Sequence, residues 1–224
     1  MDASGVTSKP RTDISANGTE RLKTMSNKTL ELLANRRTQY ALGDKLPLSH
    51  DQIEALVKEA IRLAPSSFNS QSSRAVILFG AESKKVWSLI EGELRKIVPA
   101  ENFASTEAKM QGFASGAGTI LFYEDQATIE KLQQDFALYA DAFPGFSANS
   151  AGMAQLAVWT ALAEEGIGAS LQHYSPIADE ALAKAFDVPS SWKLIAQMPF
   201  GSNESAPGDK TFINDDDRFA VYGK

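Results

Sequence analysis

The longest nearly continuous apolar segment of the chain spans residues 151–163, in which Gln155 and Thr160 are the polar interruptions. A helix with apolar side chains on most of its circumference needs cover on every side, either inside a fold or between subunits. The segment is shorter than the roughly 20 residues that a membrane-spanning helix needs. We therefore predict a buried or interfacial helix that runs through Glu165 and stops at Gly166, because a left-handed C-cap favours glycine.

Capping residues mark the starts of the predicted helices. Ser26 precedes the first helical repeat, and Ser147 or Asn149 precedes the long apolar helix. A capping box at residues 49–52 starts a further helix, which Pro65 ends. The apolar positions that repeat at helical spacing are Leu30, Leu33, Ala34, Ile53, Leu56, Val57, Ala60, Ile61, Val86, Trp87, Ile90, Leu94, Ile97 and Val98.

Short apolar runs between these helices predict the strands of a sheet. Residues 75–79 and 118–123 are bounded by glycine, and residues 167–172 and 192–200 follow later, with a short helix at 181–186 between them. Alternation along the last strand puts four side chains on one face, namely Trp192, Leu194, Ala196 and Met198. The order predicts a mixed α and β domain, and the alternation of helices and strands by itself suggests parallel strands.

The first residues differ in composition from the rest of the chain. Residues 1–25 mix Ser, Thr, Gly, Lys, Arg and Asp without an apolar core, which predicts a disordered tail and no secretory signal. An organellar transit peptide is the alternative for such a stretch, although Asp2, Asp13 and Glu20 oppose it. We expect a cytoplasmic protein in which residues 26–224 form a single domain.

Reactive side chains are scarce. The chain has no cysteine and two histidines, His50 and His173, which stand far apart without a metal-binding spacing. This composition excludes thiol catalysis, disulfides and thiolate zinc sites, and we predict no metal site. Neither a dinucleotide GxGxxG, a P-loop nor a GxSxG motif occurs in the required context. A net charge of −6 disfavours nucleic acid or an anionic membrane as the main partner and favours small molecules.

A cluster of cations and hydroxyl groups follows the first predicted helix and consists of Arg36, Arg37, Thr38 and Tyr40. Guanidinium groups bind oxyanions through paired hydrogen bonds, so the cluster suits a phosphate or the polar edge of a ring. The alternative is a solvated helix end, where cations are favoured near the negative pole of the helix.

Other polar side chains stand at the ends of predicted elements. Asn69 and Gln71 are two amides before a buried strand, and they could bind a planar heterocycle or merely cap the loop. His173 could act as a general acid or a stacking group, or lie at the surface. Lys210 and Arg218 could complete an anion site, or pair with the acidic residues between them.

Five segments, taken together and in order, are more specific than any of them alone. They are RRTQYALG (36–43), PSSFNSQSSR (65–74), GMAQ (152–155), GIGASLQHY (166–174) and PSSWKL (189–194). In this order they resemble the nitroreductase family of flavin enzymes, and within it the branch of short bacterial and fungal proteins related to the yeast fatty acid repression mutant protein. The similarity spans roughly residues 27–218.

The resemblance implies an α+β fold, in which helices flank a central, mainly antiparallel sheet and two chains form an intertwined homodimer. It also implies FMN at the subunit interface, with electrons passing from NADH or NADPH to nitroaromatic or quinone-like acceptors by a ping-pong route. The flavin then carries the redox chemistry, and the protein needs no catalytic side chain of its own. The alternative function is a flavin-binding regulator of a lipid or stress response with little turnover.

The family's pattern of FMN binding implies a role for the cations of this sequence. Arg36 and Arg37, helped by Thr38, would hold the phosphate and ribityl end of the cofactor. Lys210 and Arg218 would close on the same phosphate. Two or three cations are reasonable there, because a phosphate monoester carries about −1.5 to −2 charges.

The resemblance also implies which residues surround the flavin ring. Tyr40, Asn69 and Gln71 would contact its polar edge or the ribityl chain, and the two amides would reach the flavin of the partner subunit. Lys109 would lie near the pyrimidine end, where a cation stabilises the anionic reduced flavin. Phe212 stands where the family has a second basic residue, and Tyr40 where bacterial enzymes often have one. The segment over the ring would contribute Gly168, Ala169, Leu171, Gln172 and His173.

Overall fold

The computed structural model describes residues 27–224, which fall into two units. Residues 32–207 form the larger unit, and residues 27–31 and 208–224 belong to the other. The disordered tail predicted for residues 1–25 and the helix cap predicted at Ser26 lie outside the described residues. The single domain predicted for residues 26–224 stays a prediction.

Eight helices occur within residues 27–224, and none of them is long and apolar enough to cross a membrane. They are α1 (Lys28–Asn35), α2 (His50–Leu63), α3 (Gly80–Leu94), α4 (Phe103–Ala114), α5 (Gln126–Asp135), α6 (Phe143–Glu164), α7 (Asp179–Ala185) and α8 (Asp215–Arg218). Three short 3-10 helices cover Ser67–Asn69, Ala100–Asn102 and Ala137–Ala142.

A five-stranded sheet forms the centre of the larger unit. Its strands are β1 (Leu42–Gly43), β2 (Ser73–Phe79), β3 (Gly118–Asp125), β4 (Gly168–Ala169) and β5 (Trp192–Asn203). The order is β1-β5-β3-β2, β4 also pairs with β5, and all four pairings between these strands are antiparallel. The α+β fold with a mainly antiparallel sheet is confirmed, and the parallel arrangement suggested by the alternation of elements is wrong.

The two faces of the sheet bury separate hydrophobic cores. On one face, side chains of α3, α4 and α7 such as Trp87, Phe113 and Leu182 pack with Leu121 of β3. On the other face, α2 and α6 cover alternate strand residues; this core includes Ile53, Val57, Val158, Leu162, Ile120 and Met198. Layers of helices on both faces explain why a strand such as β3 is buried along nearly its whole length.

A bulge in β5 changes the face to which its side chains point. The pairing with β3 shifts between Phe122 and Tyr123, so that Ile195 of β5 has no directly opposed partner. Trp192 and Leu194 consequently lie with the core of α3 and α4, whereas Ala196 and Met198 lie with the core of α2 and α6. The prediction that these four side chains share one face is therefore wrong.

The helix boundaries follow the capping signals in two cases and depart from them in a third. The capping box of α2 is present, since the Ser49 and Gln52 side chains each accept a hydrogen bond from the other residue's backbone. Gly166 has φ 73° after α6, as predicted. However, α6 begins at Phe143, so neither Ser147 nor Asn149 caps it. The Ser147 hydroxyl instead donates to a buried carboxylate inside the fold.

Two further predictions were too long. The helical repeat predicted up to Val98 stops at Leu94 in α3, and Ile97 beyond it is largely exposed. Of the strand predicted at 167–172, only Gly168–Ala169 forms a strand, followed by an isolated bridge between Gln172 and Gln197. The backbone after β4 nevertheless stays beside β5, because the N–H groups of Ser170 and Gln172 donate to the carbonyl oxygens of Pro199 and Gln197.

Candidate functional site

The segment after α1 lies along the outer side of β4. Thr38 forms a parallel bridge with Ala169, and the Gln39 backbone N–H donates to the Ala169 carbonyl at 2.9 Å. A Cβ atom on Gly168, next to this contact, would stand 2.2 Å from Oδ1 of Asn203, so a larger residue there would require the Asn203 side chain to move. The structure thus brings together two parts of the predicted site, residues 36–39 and residues 168–169.

Arg36 lies over an aromatic side chain of α6. Its guanidinium carbon is 4.4 Å from the centroid of the Trp159 ring, a cation–π arrangement that fixes the position of the cation. Burial lowers the pKa of Arg36, and the nearby Arg37 cation lowers it further. Within residues 27–224, no carboxylate pairs with the Arg36 guanidinium. Two neighbouring cations, one of them partly desolvated, favour a bound anion.

The segment after β4 is held by a glutamine of β5. Gln172 and Gln197 exchange backbone hydrogen bonds at 2.8 and 2.9 Å, and the Tyr174 N–H donates to Oε1 of Gln197. Leu171 and Gln172 are half-buried and His173 is exposed. This fixed backbone runs from Ala169, which contacts residues 38 and 39, to the exposed His173.

The predicted amides Asn69 and Gln71 lie on a loop between α2 and β2. Both side chains are exposed, and the Gln71 N–H donates to the Ser66 hydroxyl at 2.9 Å. A cavity of about 360 Å³ lies beside this loop and is lined in part by Ser66, Gln71, Arg74, Ser150 and Trp192. The described chain shows no contact between these amides and residues 36–39, so their joint role stays a prediction.

The remaining predicted site residues are three cations and Tyr40. Lys109 lies on the exposed side of α4, which packs in the core opposite Trp159. Tyr40 is exposed. Lys210 and Arg218 belong to the terminal unit, where each lies over a neighbouring aromatic ring. Their roles stay predictions.

The chain was compared with known proteins. A family model described as the nitroreductase family matches residues 33–202. The chain belongs to the nitroreductase family. HBN1 of Saccharomyces cerevisiae is 39% identical over 189 residues, which cover 84% of this chain and 94% of that protein.

Solved structures show the same family fold. The nitroreductase CinD of Lactococcus lactis, in complex with chloramphenicol, is 46% identical; the match covers 88% of this chain and 100% of CinD, with a TM-score of 0.80. A nitroreductase with bound FMN from Desulfitobacterium hafniense shares the fold at 17% identity, over 89% of this chain and 100% of that chain, with a TM-score of 0.65. The resemblance to the nitroreductase family is confirmed.

Several residues near the predicted site of this nitroreductase family member were not found from the sequence. Trp159 belongs to the helix predicted to be buried or interfacial, and no local pattern pairs it with Arg36. Arg74, Glu124 and Asp125 form a polar group next to the Asn69 loop. Their sequence signal, charged residues at the ends of apolar runs, is also typical of ordinary strand ends.

The ion pair between Arg74 and Asp125 makes the stability of this region depend on pH. Burial alone would raise the pKa of Asp125, but hydrogen bonds from Thr128 and Ser191 and the Arg74 cation lower it overall. A lowered pKa in the folded state stabilises the fold above the unfolded pKa of about 3.9, and this contribution disappears as pH falls through the folded pKa.

We expect Asp125→Asn, which keeps a capping oxygen for α5, to lower the free energy of unfolding by about 1 kcal/mol at neutral pH. The difference from the wild type should shrink as pH falls from about 4 through the lowered pKa of folded Asp125, because the wild-type carboxylate is then protonated in both states. Urea unfolding of the wild type and of Asp125→Asn at several pH values measures this difference in the free energy of unfolding. A difference that stays constant down to low pH would contradict this role of the Asp125 charge.

Proposed function

We propose that the protein is a flavin oxidoreductase that binds FMN and transfers electrons from NADH or NADPH to nitroaromatic or quinone-like acceptors by a ping-pong route. The observation that carries this proposal is the Arg36–Arg37 cation pair, placed against Trp159 and the backbone of β4. This arrangement is suited to the phosphate end of a flavin nucleotide, whose ring would extend along residues 168–173.

The described residues fit FMN in charge and in hydrogen bonding. The phosphate carries about −1.5 to −2 charges, which would offset the burial and the repulsion from Arg37 that together lower the pKa of Arg36. Trp159 Nε1 is buried and has no hydrogen-bond partner among residues 27–224, so the site holds one unused donor beneath the cation. The Thr38 side chain is exposed next to the two cations and offers a hydroxyl.

Bound FMN supplies the hydride acceptance and donation, and the protein residues bind and orient it. Arg36, Arg37 and Thr38 would hold the phosphate and ribityl end, and the family resemblance adds Lys210 and Arg218 as further cations. The backbone of Gly168 and Ala169, with Leu171, Gln172 and His173, would lie against the ring. Tyr40, Asn69, Gln71 and Lys109 would contact its polar edge.

The choice of acceptors is supported by the complexes of a relative. CinD has been solved with chloramphenicol and with 4-nitrophenol, and both compounds carry a nitro group on an aromatic ring. The scarcity of reactive side chains agrees with chemistry performed by a cofactor. A protein that only orients a flat cofactor would admit several flat acceptors.

The test of this function is reconstitution followed by turnover. The purified protein is incubated with FMN, freed of unbound flavin, and assayed for NADH and NADPH oxidation with and without 4-nitrophenol or a quinone. We expect a yellow protein whose oxidation of NADH or NADPH rises strongly with the acceptor. A protein that retains no flavin contradicts the proposal, and retained flavin without turnover favours the regulatory alternative.

We further propose that two copies form the active homodimer through α6. Met153 and Leu156 remain 40% and 43% exposed on a helix whose opposite face is buried, and a second copy would cover these apolar side chains. The terminal unit also exposes large apolar residues, which include Phe212, Ile213, Phe219, Val221 and Tyr222.

We expect light scattering to give twice the 24.2 kDa mass of the chain for the wild type. Leu156→Glu should shift the protein toward the monomer, because a charge cannot be buried in the interface without a partner. Ile97→Glu, which also replaces an exposed apolar side chain but lies beyond the end of α3, is the matched control. A monomeric wild type, or a dimer unaffected by Leu156→Glu, would refute this interface.

A further inference from the structure

The loop that carries Asn69 and Gln71 has an unusual backbone. Phe68, Asn69 and Gln71 have φ values of 56°, 52° and 50°, in the left-handed region that residues with a side chain rarely adopt. Such a conformation persists only where the surroundings fix it. The Asn69 and Gln71 side chains are exposed, so their burial does not account for it.

Arg74 fixes the end of this loop. Its Nη1 donates to the carbonyl oxygens of Gln71 at 2.5 Å and Ser73 at 3.2 Å, while Nη2 donates to Oδ2 of Asp125 at 2.9 Å. One planar guanidinium therefore ties the Gln71 backbone to the end of β3. The guanidinium also lies 5.9 Å from the centroid of the Trp192 ring, which limits its movement.

Glu124 fixes the residues directly after the loop. Its carboxylate is 2% exposed and accepts hydrogen bonds from the hydroxyls of Ser72 at 2.6 Å, Ser73 at 2.5 Å and Ser147 at 2.5 Å. Within residues 27–224, no lysine or arginine forms an ion pair with it. A buried charge is costly, and three hydroxyl donors offset that cost while they join β2, β3 and α6.

The start of the loop is held by α6 as well. The Ser67 N–H donates to the Ser150 hydroxyl at 3.3 Å, and Phe68 contacts Phe143 with ring centroids 5.3 Å apart. Both ends of the loop are thus anchored, and the two exposed amides project from a backbone with little freedom. An arrangement of this kind reduces the entropy lost when the amides bind a ligand.

We propose that Arg74 and Glu124 are positioning residues, which preset the Asn69 and Gln71 amides for contact with the flavin. This inference rests on the proposed function, since it assigns the loop a ligand. Neither Arg74 nor Glu124 needs to touch the cofactor. They affect FMN affinity only by fixing the conformation of the loop. Their effect should therefore vanish when the Asn69 and Gln71 amides are removed.

A double-mutant cycle on FMN affinity tests this path of action. Quenching of FMN fluorescence by the apoprotein gives the dissociation constant for the wild type, Arg74→Gln, the pair Asn69→Ala with Gln71→Ala, and all three changes combined. We expect Arg74→Gln to weaken FMN binding about tenfold in the wild-type background and less than twofold when both amides are already removed. Glu124→Gln should behave in the same way with a smaller effect.

Two further variants separate positioning from loss of structure. Arg74→Lys keeps a cation for Asp125 but not the planar fork, so it should bind FMN with intermediate affinity even if Arg74→Gln folds poorly. Arg95→Gln removes an exposed arginine that pairs with Glu91 of α3 and Glu107 of α4, and it should leave FMN affinity unchanged. Thermal unfolding of each apoprotein is recorded in parallel.

The possible outcomes are distinct. Equal losses of affinity in both backgrounds would overturn the positioning role, and so would an Asn69→Ala and Gln71→Ala protein that binds FMN like the wild type. In both cases the wild type still binds FMN, so the proposed function survives. A wild type that binds no FMN instead refutes the proposed function together with this inference.

Discussion

Replacing Arg36 with alanine is expected to weaken FMN binding by roughly 10- to 150-fold, which corresponds to the loss of about 1.5 to 3 kcal/mol from a charge-assisted hydrogen bond. The effect should be large because Arg36 is partly buried and held against Trp159, so that its position is set before the ligand arrives. Fluorescence titration of the apoprotein with FMN measures the dissociation constant.

Two further variants test whether the loss of FMN affinity is specific to the Arg36 guanidinium. Arg36→Lys keeps the charge without the planar fork and should give an intermediate dissociation constant. Arg62→Ala removes an exposed arginine that pairs with Glu59 on α2, and it should bind FMN like the wild type. If Arg36→Ala retains flavin as tightly as the wild type, Arg36 does not contact the phosphate.

The largest loss of stability is expected from Gly201→Ala. A Cβ atom on Gly201 of β5 would stand 2.0 Å from the Gly43 carbonyl oxygen and 3.0 Å from the Ala117 backbone nitrogen. Both neighbours are backbone atoms of packed elements, so neither can rotate away. We expect the free energy of unfolding to fall by about 3 kcal/mol or more, at the upper end of what overpacking costs.

The same substitution should also weaken FMN binding, because Gly201 pairs with Gly168 of β4 next to the cation cluster. Gly92→Ala is the matched control, since Gly92 lies within α3 and has open space around its Cβ position. It should stabilise the protein by about 0.5 to 1 kcal/mol through higher helix propensity. Urea unfolding measures the stability of both variants. If the urea midpoint of Gly201→Ala equals that of the wild type, the close packing of β1 against β5 is refuted.

Much of the fold could be predicted because its signals are local. The capping box of α2 and the left-handed residue after α6 depend on neighbours within a few positions, and both were found. The bulge at Ile195 depends on how β5 meets β3, and alternation along one strand contains no information about it. The start of α6 was placed too late because Ser147 has the composition of a cap but serves a buried carboxylate.

The candidate site could be predicted only in part, and mainly through the family resemblance. That resemblance grouped Arg36 with the segment at Gly168, and the structure places Thr38 beside Ala169. The aromatic support under Arg36 could not be predicted, since Trp159 is remote in sequence and its helix pattern is that of any apolar helix. The role of Glu124 could not be predicted either, because its hydroxyl partners Ser72 and Ser73 are about 50 positions away in the sequence and Ser147 is on α6.

The most direct measurement is anaerobic titration of the FMN-reconstituted protein with NADH and, separately, with NADPH, followed by the visible absorption of the flavin. The account predicts that at least one nucleotide bleaches the oxidised flavin band stoichiometrically, and that addition of 4-nitrophenol or a quinone restores it. A protein whose bound flavin stays oxidised with both nucleotides would contradict the proposed oxidoreductase function.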